Sequence, residues 1–91
     1  MSEPYRTTES TQLITNRGII EIISLISGGS AASTVSIFDS HVNSGTHGRR
    51  LWDLAAVTGD SETTPILNIP FKWGVYASLS GANSQTIVTV R

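Results

Sequence analysis

Gly18-Ile19-Ile20-Glu21-Ile22-Ile23-Ser24-Leu25-Ile26-Ser27-Gly28-Gly29 is the stretch whose reading decides the fold. β-Branched side chains are stiff at χ1 and fit a pleated surface, so this run predicts a central strand, and the Gly-Gly-Ser that follows supplies the backbone freedom of a turn. At period 2, one face carries Ile20, Ile22 and Ile26 interrupted by Ser24, and the other Ile19, Ile23 and Leu25 interrupted by Glu21. An antiparallel strand ordinarily buries one face and wets the other. A strand apolar on both sides therefore calls for a second covering layer, from this chain or from another copy.

Working outward, Thr11-Gln12-Leu13-Ile14-Thr15 reads as a short strand and Asn16-Arg17-Gly18 as the turn into the central strand. After Gly28-Gly29-Ser30-Ala31-Ala32, the alternation of Ser33 to Asp39 gives a strand expected to form a hairpin with the central one. Residues 40–48 are rich in turn-formers and read as an exposed loop. Arg49 to Val57 fits a strand, although Leu-Trp-Asp-Leu-Ala-Ala also has acceptable helix propensity. Thr58 to Ser61 is a turn, Thr63 to Ile69 a strand, and Pro70 belongs at a strand end or edge because it has no N–H to give a ladder. Phe71, Trp73, Val75, Ala77 and Leu79 alternate with polar or small residues over ten positions, which assigns Phe71 and Trp73 to the core. Gly81-Ala82-Asn83 turns the chain into a last strand, Ser84 to Arg91.

Short strands, frequent turn signals and no convincing helix indicate an all-β protein. The expected architecture is a single antiparallel β-sandwich of about seven to eight strands, of jelly-roll or Greek-key type, with a closed barrel as the other arrangement. Residues 1–10 are polar, include Pro4 and lack a period, so they are expected to form a flexible arm before a sandwich domain spanning 11–91.

The chain has 91 residues, which suits one domain with a modest core, and only 14% of them are charged. Its surface must be built mainly from Ser, Thr and other uncharged polar groups. A formal net charge of −1 argues against nucleic-acid or anionic-membrane binding driven by bulk charge. The adjacent Arg49-Arg50 pair reads as a solvated strand start. No run reaches the ~20 apolar residues that span a bilayer, and Met1-Ser2-Glu3-Pro4 lacks the basic end and apolar core of a signal peptide. Without cysteine there is no disulfide, thiolate metal site or cysteine nucleophile.

The segments Ile14-Thr15-Asn16-Arg17-Gly18-Ile19-Ile20, Ile23 through Asp39, the Ser-Gly-Thr loop at residues 44–46 and Phe71 through Gly81 together resemble small all-β structural proteins of tailed bacteriophage virions. The likeness covers most of the chain beyond the first ten residues. It implies a capsid decoration or cement protein, made in the host cytoplasm and carried on the virion, that binds the major capsid protein or another virion protein. It also favours a trimer among homo-oligomers. Leu51-Trp52-Asp53-Leu54 is bulkier than the small-residue strand of the resembling proteins, which implies adaptation to a particular partner.

Candidate partner-contact residues are Tyr5, Arg6, Glu21, Trp52 and Tyr76. A metal site could draw on His41, His47 and Asp39, but no motif spacing supports one, and no metal or cofactor is expected. Asp53 and Asp60 lack the fixed spacing of an acid/base pair, no serine stands out as a nucleophile, and Gly28-Gly29 leads into no phosphate loop, so catalysis is not expected. The rival reading is a carbohydrate-binding or host-attachment module of a tail or fibre, with Trp52, Trp73, Tyr76 and Phe71 as stacking platforms.

Overall fold

The computed structural model describes residues 3–28, 32–40, 48–81 and 83–91. The strands are β1 (Glu3–Thr7), β2 (Thr11–Ile14), β3 (Gly18–Ile26), β4 (Ser33–Asp39), β5 (Arg49–Ala56), β6 (Ser61–Thr63), β7 (Ile69–Phe71), β8 (Val75–Ser80) and β9 (Gln85–Val90). They form two antiparallel sheets that pack face to face as a β-sandwich. One sheet runs β1-β9-β3, with β6 and β7 sharing the far edge of β3. The other runs β2-β8-β4-β5. The loop read at 40–48 lies, apart from Ser40 and Gly48, outside the described residues, as do His41 and His47.

Chain neighbours rarely pair. Among the described strands only β4 and β5 are both consecutive and hydrogen-bonded. The hairpin expected between the central strand and Ser33–Asp39 is therefore not formed: β3 lies in the first sheet and β4 in the second, paired with β5 and β8. β4 therefore sets Val35 and Ile37 against β3 instead of beside it. Residues 3–7 correct a further expectation. Instead of a flexible arm they are an edge strand, in register with β9 from Glu3 opposite Val90 to Thr7 opposite Thr86. The period-2 pair of Tyr5, packed against the core, and buried Thr7 gives this polar segment an inward face.

The central strand is where the sequence places it, but its faces are not those of an unbroken period. Ile20 stands opposite Val90 and Ile22 opposite Thr89, so Glu21 is an extra residue in a β-bulge. The bulge moves Ile20 to the same side as Ile23 and Leu25, and all three have 0% exposure. They meet Val88 and Val90 of β9, Phe71 of β7, and Val35, Ile37, Val75, Ala77 and Ala56 of the opposite sheet. Each fully buried Val or Ile side chain contributes about 1.5–3 kcal/mol, and this cluster is the core. Ile19, Ile22 and Ile26 remain on the outer side, half-buried.

The long strand expected from Phe71 to Ser80 is broken at Lys72-Trp73-Gly74, and its two pieces lie in different sheets. Phe71 is buried as expected, but Trp73 is 52% exposed and does not belong to the core. Two features cause the break. The buried Asp39 carboxylate accepts the backbone N–H of Lys72 at 2.9 Å and of Trp73 at 2.8 Å, which fixes a corner there. Gly74 then takes φ +152°, where a Cβ would collide with the Ile14 carbonyl oxygen. The strand expected over Thr63 to Ile69 is likewise replaced by the short edge strands β6 and β7, with Pro70 in the latter.

Candidate interaction surfaces

Two surfaces stand out, one at a corner of the sandwich and one on a sheet face. The corner is made where Arg17 enters β3, Arg49 opens β5 and Lys72-Trp73 follow β7. Asp39 joins these elements, since it stands opposite Arg49 in the β4–β5 ladder while its carboxylate holds the Lys72 and Trp73 amides. Both its oxygens are thus occupied by N–H donors from the corner between β7 and β8. Around it lies a cleft of about 670 Å³ with Pro70, Phe71 and Trp73 as its apolar lining and Arg17, Arg49 and Lys72 as cations. The Lys72 ammonium sits 5.5 Å from the centre of a Trp73 ring, within cation–π range. The two ion pairs among the described residues, Arg50–Asp53 and Arg91–Glu21, involve none of the three cleft cations. Glu3 and Arg17 line a smaller neighbouring recess, and the Glu3 carboxylate there accepts the Tyr5 hydroxyl at 3.0 Å.

The second surface is the outer face of the β1-β9-β3 sheet. Ile22 opposite Thr89, Ile87 opposite Ser24, and Ile26 opposite Gln85 give it an apolar strip with polar borders. Ser24 and Thr63 hydroxyls meet at 3.2 Å on one border, and Arg6, opposite Ile87, stands on the other. Among the described residues no third layer lies over this face.

The five sequence-derived contact residues do not form one site. Tyr5 and Arg6 alternate on β1, with Tyr5 half-buried and Arg6 exposed. Its hydrogen bond to the Glu3 carboxylate, and that group's negative charge, hold the Tyr5 hydroxyl above its ordinary pKa of 10.0. Glu21 is the bulge residue, half-buried, with its carboxylate 3.8 Å from the Arg91 guanidinium. Trp52, 37% exposed, lies on edge strand β5, and Tyr76 is half-buried on β8, both in the other sheet.

Sequence reasoning missed the corner cleft because its members come from segments far apart in the chain. Arg49 was legible only as a strand start. Phe38, opposite Tyr76, was also passed over, and its ring lies 5.6 Å below the Arg50 guanidinium. Among the described residues no group of three His, Cys, Asp or Glu side chains is placed to hold a metal, and no helix is long and apolar enough to cross a membrane. The chain matches no protein-family model and no curated protein.

Proposed function

We propose that this chain is a non-enzymatic assembly protein that works by covering and joining surfaces, and that its setting is a virion, as a capsid decoration or cement protein. The observation that carries the assembly reading is β3, which is apolar on both sides while the sandwich covers only the side of Ile20, Ile23 and Leu25. A strip such as Ile22, Ile26 and Ile87 with a polar border suits burial against another subunit. Copies of the chain then associate through this face, and the particle's other proteins are the further partners. The virion setting rests on the sequence resemblance alone.

Ile22→Asp tests the reading, because a charge in a closed interface is costly while a charge on an open sheet face is tolerated. The variant should keep cooperative unfolding yet lose mass in light scattering at micromolar concentration, and lose occupancy on the particle in electron-microscopy maps. A native chain that is monomeric, with unfolding independent of concentration, would overturn it.

One observation favours a second reading, a carbohydrate-binding module. Phe38 and Tyr76 are neighbours on the outer side of the other sheet, beside the exposed Arg50–Asp53 pair, and ring faces next to hydrogen-bonding groups suit sugars. Saturable glycan binding that disappears in Tyr76→Ala would support it.

A further inference from the structure

The two ends of β3 differ in their exposed charge: Asp39 and Glu3 also lie at the Gly18 end, but the Asp39 carboxylate is buried on the Lys72 and Trp73 amides and Glu3 accepts the Tyr5 hydroxyl. Around Gly18 stand Arg17, then Lys72 just after Phe71, which is Gly18's register partner, and Arg49, tied to the same corner through Asp39. At the other end Asp60 accepts the Ser27 amide with its carbonyl, and Glu62 stands opposite Leu25. Glu9 follows two residues after Thr7, whose partner Thr86 is also opposite Leu25. Among the described residues the cation nearest in register to this acidic end is Arg6, and it sits on β1, with β9 and β3 between it and β6.

The acidic end also has the right shape to enter a cleft. The turn closes with the Asp60 N–H donating to the Val57 carbonyl at 3.0 Å, and Val57 itself is 66% exposed. Gly59 has φ +78°, and a Cβ added to it would meet nothing within 4 Å, so the tip projects into open space. The tip is therefore one apolar side chain followed by two carboxylates. The cleft at the far end is an apolar floor of Pro70, Phe71 and Trp73 with three cations that no carboxylate among the described residues pairs.

We infer that the Arg17/Arg49/Lys72 cleft receives the Val57–Glu62 turn of a second copy of this chain. Val57 packs against Trp73, and Asp60 and Glu62 meet the cations of the cleft. A nine-residue strand separates the two patches by about 30 Å, so the contact is head-to-tail and each copy keeps one free end until a ring closes. The inference rests on the assembly reading and adds a second interface to the one through Ile22.

The test uses two reversed chains, Arg49→Glu with Lys72→Glu, and Asp60→Lys with Glu62→Lys, all at exposed positions. Like charges then face each other in each homogeneous sample, and association should weaken by roughly a hundredfold or more. Each variant should keep the native thermal midpoint within a few degrees and show a lower mass than the native chain in sedimentation. A chain carrying all four reversals, in which every cleft again meets a turn of opposite sign whatever the number of copies in the ring, should return to the native mass. The native mass should also fall as salt is raised from about 0.1 M to about 1 M, where the screening length drops from ~10 Å to ~3 Å. A fourfold-reversed chain that folds but stays at the reduced mass overturns the inference. So do variants that keep the native mass while Ile22→Asp lowers it, a result that leaves the assembly reading standing. A native chain that is monomeric at low salt overturns both.

Discussion

The two faces of β3 are made of the same residue type in the same strand, yet one is sealed and the other half-open. Ile20, Ile23 and Leu25 have no exposed surface, while Ile19, Ile22 and Ile26 keep part of theirs. Composition does not separate them. A single extra residue, Glu21, does, because it shifts the alternation and gives the core one isoleucine that a strict period would turn outward. In a strand apolar on both sides, backbone register decides which side folds the chain and which is left for other contacts.

Substitutions across this divide should separate in urea unfolding. Ile23→Ala removes packed atoms from a site with no exposure and should cost about 2–5 kcal/mol, whereas Ile22→Ala should cost under ~1 kcal/mol in the dissociated chain. Equal midpoints for the two would break the comparison. Ile20→Ala sharpens it: the bulge predicts a loss of the Ile23 class, also about 2–5 kcal/mol, and a loss of the Ile22 class would mean that the strand runs at an unbroken period.

Asp39 makes a parallel division, turning Phe71 inward and Trp73 outward. Asp39→Ala leaves two part-buried amides without their acceptor and should cost about 1.5–3 kcal/mol. Its second signature is a change in tryptophan emission, since the corner carrying Trp73 loses its anchor. The smallest effect belongs to Tyr5 at the margin of the inner face. Its hydroxyl pKa is raised by Glu3, so the folded state holds that proton more tightly than the unfolded state. This stabilisation is complete below the unfolded value near 10 and is lost as pH rises through the higher folded value. Comparing unfolding midpoints of the native chain and Tyr5→Phe at pH 8 and in the alkaline range should show the native chain losing slightly more.

The strand content and the sandwich were legible because they follow from local pattern: β-branched runs, Gly and Pro punctuation, and alternation in β4, β8 and β9. What escaped depends on partners far along the chain. The break after Phe71 is set by a carboxylate 33 residues earlier, and a period-2 count of Phe71, Trp73 and Val75 has no access to it. The Gly-rich signal after Ser27 does not say whether the chain makes a hairpin or crosses between sheets, because packing decides that. The corner cleft was invisible for the same reason, since Arg17, Arg49 and Lys72 approach one another only when β3, β5 and β7 are assembled. Residues 3–7 looked unstructured because an edge strand needs only one inward apolar residue, here Tyr5, and takes its stability from β9.

That pairing of β1 with β9 joins Glu3 to Val90 and puts β9 at the centre of its sheet, between β1 and β3. The consequence is kinetic. Bringing together segments so distant in the chain incurs loop-closure entropy before any contact rewards it, which places the protein among slow folders on the millisecond-to-second scale. During synthesis, β1 and β3 must wait for their shared neighbour with their edges unpaired. Without β9 the chain can still pair β4 with β5 and β8, β2 with β8, and β3 with β6 and β7, but β1 and the other edge of β3 stay unpaired until β9 has been made.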